Sequence, residues 1–503
     1  MKNHFSLYIL FFLLSSCAAS KHFNAATKYA PEALQEDYGI FKNILEQEHP
    51  GLWWYTSKDS MDIYFAQGRS RLNDSLTETG FRTVLSYVVS KIHCGHTSIT
   101  ASKGWYRSKD SLRMRPFPLS LKLWPDTAVV TFNLNRRDSL VTRGVVLLSI
   151  DGRPMQQVVD SLFDYLPADG YNLTHKYQTL SNRGTFGAVY TAVFGAKPKY
   201  NITFADTSGT VHAATVRLYN PRDTTKQIFT LPLPAPLSKR EQKKGELHIS
   251  RSLRFDTTLS LATMDLNTFT KDARLRRFFK TAFKNLRTHH TKNLVIDLRG
   301  NGGGSVTNSN LLAKYISRKP FVIADSLYAA RRKSAYARYE QNRFWNHLFL
   351  LTMTRKEADG RYHFRYFENR KFKPKHHNHF EGDVYVLTGG NTFSASTLFI
   401  QSVRAQRNVI VVGEETGGGA YGNNAWLIPD VTLPNTKVRF RLPLFRLVID
   451  KNSPKGYGVL PEVPVAPTVA AIRRNADFKT EKVRELIQAK ESRSMSGHVK
   501  RQN

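Results

Sequence analysis

Residues 294–304 read Leu294-Val295-Ile296-Asp297-Leu298-Arg299-Gly300-Asn301-Gly302-Gly303-Gly304. A short apolar run stops in a cluster of glycines, which reads as a buried strand running into a tight loop before a helix. Glycines there allow positive φ and a close approach of backbone to substrate. Their free N–H groups can form an anion-binding concavity. A phosphate-binding loop would close on Lys-Ser/Thr, whereas Gly304 is followed by Ser305-Val306, so the phosphate reading fails at its last position.

A second segment repeats the design: Val384-Tyr385-Val386-Leu387-Thr388-Gly389-Gly390-Asn391-Thr392-Phe393-Ser394-Ala395-Ser396. Here Ser394 opens the helix. A helix N-terminus is positive, which favours the anionic character a serine develops on attack. The Ala395 N–H can donate to an oxyanion. A serine that only caps its helix would look the same locally.

Outward from these segments, strands and helices alternate. Strands are predicted at 261–266, 293–298, 383–387 and 408–412, and helices at 274–286, 311–316 and 394–405. That alternation argues an α/β layered core over 247–470. Upstream, Leu34, Tyr38, Phe41 and Leu45 recur at helical spacing. Further helices are predicted from Asp59 and through Phe81, Leu85, Val88 and Ile92, so 28–100 reads as a helical domain. Residues 101–220 turn to β-rich runs, 128–132, 144–150 and 200–204, with the turn signal Asp151-Gly152. Residues 221–246, rich in Pro, Lys and Gln, read as a linker. The tail 471–503 carries nine Lys/Arg against four Asp/Glu and reads as a basic, exposed helix that frays.

Composition bounds the function. The chain has 503 residues, which favours more than one domain. Its 41% hydrophobic content suffices for packed cores and excludes a disordered protein. A mean hydropathy of −0.41 excludes a multi-span membrane protein. Two cysteines exclude a disulfide framework and a cysteine-rich zinc module. The formal charge of +34 attracts anionic surfaces. The basic residues fall outside any nucleic-acid-binding motif, so no nucleic-acid partner is expected.

The N-terminus reads MKNHFSLYILFFLLSSC. Lys2 precedes an apolar run too short to span a bilayer, ending in Leu14-Ser15-Ser16-Cys17. That pattern resembles a bacterial lipobox. It implies an exported protein anchored through lipidated Cys17, facing the periplasm or cell surface, where anionic envelope surfaces would meet the positive charge. The remaining cysteine, Cys94, sits in His93-Cys94-Gly95-His96-Thr97-Ser98. No second cluster with ligand spacing accompanies it in the sequence, so neither metal nor cofactor is expected.

Taken together, these segments resemble the tail-specific, or C-terminal-processing, serine protease family. Its hallmarks appear as Ile296 to Gly304, Ser394-Ala395-Ser396, Gly413-Glu414-Glu415-Thr416-Gly417-Gly418, Gly95-His96-Thr97 and Gly456 to Glu462. Cys94 stands where the family's Asp-Gly-His-Thr has its aspartate. The resemblance implies a crotonase-like ββα core, an N-terminal helical domain and a middle PDZ-like domain, whose strand, Ile-Asp-Gly and helix pattern matches Arg143 to Pro154. It implies a serine endopeptidase acting on polypeptides. The competing reading is a relative that keeps the fold as a peptide- or lipophile-binding protein without catalysis.

In one branch of the family the base is a lysine 25 residues beyond the nucleophile, and that position is Gly419 here. The other, tricorn-like branch uses histidine. The resemblance therefore assigns Ser394 as nucleophile, with Ser396 as rival, and His96 as base. Gly302 and Ala395 are the oxyanion donors. Glu462, or after it Glu414, is expected to orient His96.

Overall fold

The computed structural model describes residues 23–112, 116–136, 138–220 and 237–499. The leader with Cys17, and residues 221–236 of the expected linker, lie outside the described residues.

The core is a six-stranded sheet in the order 251–256, 261–266, 293–297, 383–388, 409–413, 463–464. The first pair is antiparallel and the rest are parallel. Helices Leu275–Thr288, Val306–Ile316 and Ala395–Val403 lie between successive parallel strands in sequence. The central strands are apolar at their interior positions because both faces are covered. Leu294, Ile296, Val384 and Val386 point into the main core with Phe279, Phe283, Leu312 and Phe399. Val295, Tyr385, Leu387 and Val412 point the other way.

The second face carries a correction. The tail, expected as an exposed helix, forms Phe478–Val499. Its Val483 and Ile487 pack fully buried against Leu261, Val295, Tyr385 and Val412. The sheet could not leave that face in water, and Val483 and Ile487, one turn apart, cover it with the half-buried Leu486 beside them. Lys479 reinforces the contact, donating to the Thr388 carbonyl and the Glu414 carboxylate. A second correction concerns the linker, whose C-terminal part is helical over Lys239–Ser250, started by a Ser238–Glu241 capping box.

Helices Pro31–Glu48, Lys58–Ser70 and Glu78–Ser90 share the main hydrophobic core with the sheet's helices. Residues 119–217 form a separate sheet, in strand order 119–124, 127–133, 146–150, 199–205, 211–217. It packs with helices Met155–Phe163, Leu173–Ser181 and Thr185–Phe194 around a core of its own. Among the described residues no helix is long and apolar enough to cross a membrane.

Candidate active site

The loops that leave strands 293–297 and 383–388 meet at the C-terminal edge of the sheet, where open α/β sheets place their ligands. Asn301, fully buried, joins them. Its side-chain amide donates to the Leu266 carbonyl and its Oδ1 accepts from Gly303 N. Its carbonyl accepts from Phe393 N and from the Ser396 hydroxyl. Thr392 adds a bond from its hydroxyl to the Leu298 carbonyl at 2.8 Å.

These bonds hold Ser394 at φ 55°, ψ −119°, a backbone state that a residue with a Cβ rarely adopts. Gly303, at φ 97°, backs onto it: a Cβ there would lie 2.8 Å from the Ser394 Cβ and 3.0 Å from Ala395 N. Gly302 is exposed and has open space around its Cα. Among the described residues neither the Gly302 nor the Ala395 amide has an acceptor. The Ser396 hydroxyl, by contrast, is fully buried and committed to Asn301.

His96 enters from the loop after helix Glu78–Ser90. Its ring lies 4.7 Å from that of Phe393, the residue before Ser394. The space exists because the preceding residue is glycine; a Cβ at Gly95 would be 2.6 Å from the Phe393 ring. His175 also stacks on Phe393, at 4.8 Å, and donates through Nδ1 to the Gly390 carbonyl. Burial pushes the His175 pKa down, and the nearby His96 works in the same direction.

The carboxylate beside His96 is Asp169, with Oδ1 3.5 Å from Nδ1. Asp169 is buried and belongs to the loop between helices Met155–Phe163 and Leu173–Ser181. It accepts from Gly95 N at 2.8 Å and from Gly419 N at 3.3 Å. Gly170 and His93 exchange two bonds alongside, backbone to carbonyl and imidazole to carbonyl. Both ring nitrogens of the buried His96 lack a hydrogen-bond partner. Buried polar groups left unpartnered are rare, which singles out His96 within this site.

Glu462 is elsewhere: it is exposed, and its Oε2 accepts from Val411 N at 2.7 Å beside the edge strand 463–464. Glu414 pairs with Lys479 at 2.6 Å. Gly419, at the family's lysine position, instead gives its amide to Asp169. Asp169 escaped the sequence reading because Ala168-Asp169-Gly170 looks like an ordinary turn.

Behind His96, Gly51 N donates to His49 Nδ1, so His49 Nε2 carries its proton and donates to Thr97 Oγ1. The Thr97 hydroxyl donates onward to Cys94 Sγ. Burial pushes His49 down to about 3. Burial, with Asp169 adding to it, pushes the Cys94 thiol up to about 11, so it is uncharged and no nucleophile.

Residues 260–465 match the family model described as peptidase family S41. Among solved structures the fold is similar to mature CPAF, with a TM-score of 0.62 at 14% identity, covering 91% of this protein and 96% of that one. It is also similar to mature CPAF complexed with lactacystin, with a TM-score of 0.60 at 14% identity, covering 91% of this protein and 98% of that one. No curated protein sequence matches significantly.

Proposed function

Residues 260–465 belong to peptidase family S41 and the protein is a serine peptidase; from that premise we propose that it cleaves polypeptides through an acyl-enzyme on Ser394, with His96 as general base. The observation that carries this reading is the strained, helix-opening Ser394 next in sequence to Phe393, whose ring lies 4.7 Å from that of a buried His96 with unpartnered ring nitrogens.

In the proposed cycle Asp169 holds the Nδ1–H of His96, leaving Nε2 free to take the Ser394 proton. Ser394 Oγ attacks the scissile carbonyl carbon, and the oxyanion is held by the Gly302 and Ala395 amides, each donor worth roughly 10²–10³ in rate. His96 returns the proton to the leaving amine as the C–N bond breaks. Water, deprotonated by His96, then attacks the acyl-enzyme and Ser394 is regenerated.

The same proposal extends to location and delivery. Acylated Cys17 tethers the protein to an envelope membrane, and its +34 charge suits anionic surfaces there. The middle region 101–220 is PDZ-like and presents polypeptides, including their C-terminal ends, by strand addition.

A fluorophosphonate probe tests the chemistry. Wild-type protein should label at Ser394. Ser394→Ala should abolish labelling and turnover, while Ser396→Ala keeps the label. His96→Ala should slow both by roughly 10²–10⁴. Undiminished labelling of Ser394→Ala would falsify the assignment.

A further inference from the structure

Cys94 has no part in the acyl-transfer cycle, yet it lies against it. Its Sγ, a ring nitrogen of His96 and a carboxylate oxygen of Asp169 all lie within 4.8 Å of one another. The three residues are 1%, 7% and 2% exposed. His96, more than nine-tenths buried, has neither nitrogen satisfied. The sequence shows only Cys-x-His; the third donor comes from the middle region and is brought in by the fold.

We propose that Cys94, His96 and Asp169 form a site for a thiophilic divalent cation, Zn²⁺ above others, whose occupancy switches the peptidase off. The inhibitory part rests on the proposed role of His96; the binding part does not. One thiolate, one imidazole and one carboxylate suit zinc, whereas Ca²⁺ and Mg²⁺ take oxygen donors. With metal–ligand bonds of about 2.0–2.3 Å, tetrahedral ligand atoms stand roughly 3.3–3.6 Å apart. The His96 Nδ1 to Asp169 Oδ1 separation of 3.5 Å already matches. From separations of at most 4.8 Å, the thiol needs to close by no more than about 1.5 Å.

The surroundings support an anionic ligand set. The Thr97 hydroxyl donates to Cys94 Sγ, and the Gly95 and Gly419 amides donate to Asp169. Such outer bonds orient metal ligands. Binding forms the Zn–S bond and breaks S–H, and the proton leaves to solvent. It also occupies a His96 lone pair and recruits the carboxylate that would orient the ring. Three protein ligands leave a fourth position open.

Cobalt reports the site without relying on activity. Metal-stripped full-length protein titrated with Co²⁺ should develop a thiolate-to-cobalt charge-transfer band at one metal per protein molecule. Ser394→Ala should keep the band. Cys94→Ser should lose it and bind Zn²⁺ at least tenfold more weakly in competition with a chromophoric chelator. Asp169→Asn, a second variant in case the first disturbs folding, should also weaken Zn²⁺ binding, with thermal melting confirming that each is folded. Zn²⁺ should inhibit hydrolysis over the same concentrations at which it binds, and a chelator should reverse the effect.

Absence of the band in wild-type protein, or a band unchanged in Cys94→Ser and so arising at Cys17, overturns the site. Stoichiometric zinc with unchanged hydrolysis overturns the switch. If the Ser394 and His96 variants hydrolyse substrate normally, the acyl-enzyme reading fails while the cobalt result still stands or falls alone.

Discussion

The loop that carries Ser394 and the loop that carries His96 are built by different means. The first is a finished piece of one sheet. Asn301 and Thr392 spend their polar groups tying two strand ends together, and the strain at Ser394 is held by those bonds. The second is assembled from separate regions. His96 comes from the helical region, Asp169 from the middle region, and Gly419, which gives Asp169 an amide, from the core. Its polar groups are left open: both His96 nitrogens lack partners. The proposed nucleophile is therefore preorganised by local structure, whereas the proposed base depends on how three regions dock. Damage to docking should cost catalysis before it costs the fold, and damage to the sheet should do the reverse.

The strongest test of that division is Asp169→Asn against Glu462→Gln. An asparagine amide nitrogen cannot accept from a backbone amide, so one of the Gly95 and Gly419 bonds is lost along with the charge. In the proposed cycle Asp169 acts on the ring and not on substrate, so the expected result is a fall in kcat of roughly 10²–10⁴ with KM changed far less. Glu462→Gln keeps an acceptor for Val411 N and should change kcat by less than about threefold. The reverse ranking would return the orienting role to Glu462.

The same contrast explains what the sequence disclosed. The Ser394 half is contiguous: a strand, its glycines and a helix start lie within a dozen residues, so local patterns reveal them. The glycine loop after Asp297 and the alternation of strands and helices were legible for the same reason. His96 was visible only through Gly95-His96-Thr97. Asp169 was not visible at all, because a carboxylate in a turn acquires meaning only when a distant loop is packed on it. The tail misled for another reason. Its basic residues dominate the composition, while Val483 and Ile487, which bury it, are only two positions. The Ser238-Lys239-Arg240-Glu241 capping signature was readable, and it lay inside a stretch whose Pro, Lys and Gln content pointed to a linker.

The sheet half can be weakened separately. Ile487 is 1% exposed and seals the face opposite the main core, under strand 383–388. Ile487→Ala should lower unfolding stability by about 2–4 kcal/mol, from lost burial and the cavity left behind. The readout is the midpoint of a urea transition. Fluorophosphonate labelling of the folded fraction should stay within about twofold of wild type, because Asn301, Thr392 and Asp169 are untouched. A loss of labelling larger than the loss of folded protein would mean that the tail helix shapes the site itself.

The docking half has a subtler signature, in pH. His49 is buried between Gly51 N and Thr97 Oγ1, one residue from His96, and its pKa is pushed down to about 3. In the unfolded state the same imidazole titrates near the ordinary value of about 6.5. Between those values the unfolded state binds a proton that the folded state refuses. Stability contributed by keeping His49 neutral is therefore fully present above about pH 6.5 and is lost as pH falls, by up to about 1.4 kcal/mol per unit. From pH 7 to pH 5 that amounts to about 2 kcal/mol. His175, also pushed down by burial, acts in the same direction. His49→Gln can still donate to Thr97 but cannot titrate. Urea unfolding at the two pH values should show the variant losing about 2 kcal/mol less than wild type. Equal losses would mean that His49 protonates without unfolding, and that the contacts behind His96 open in acid more readily than their burial implies.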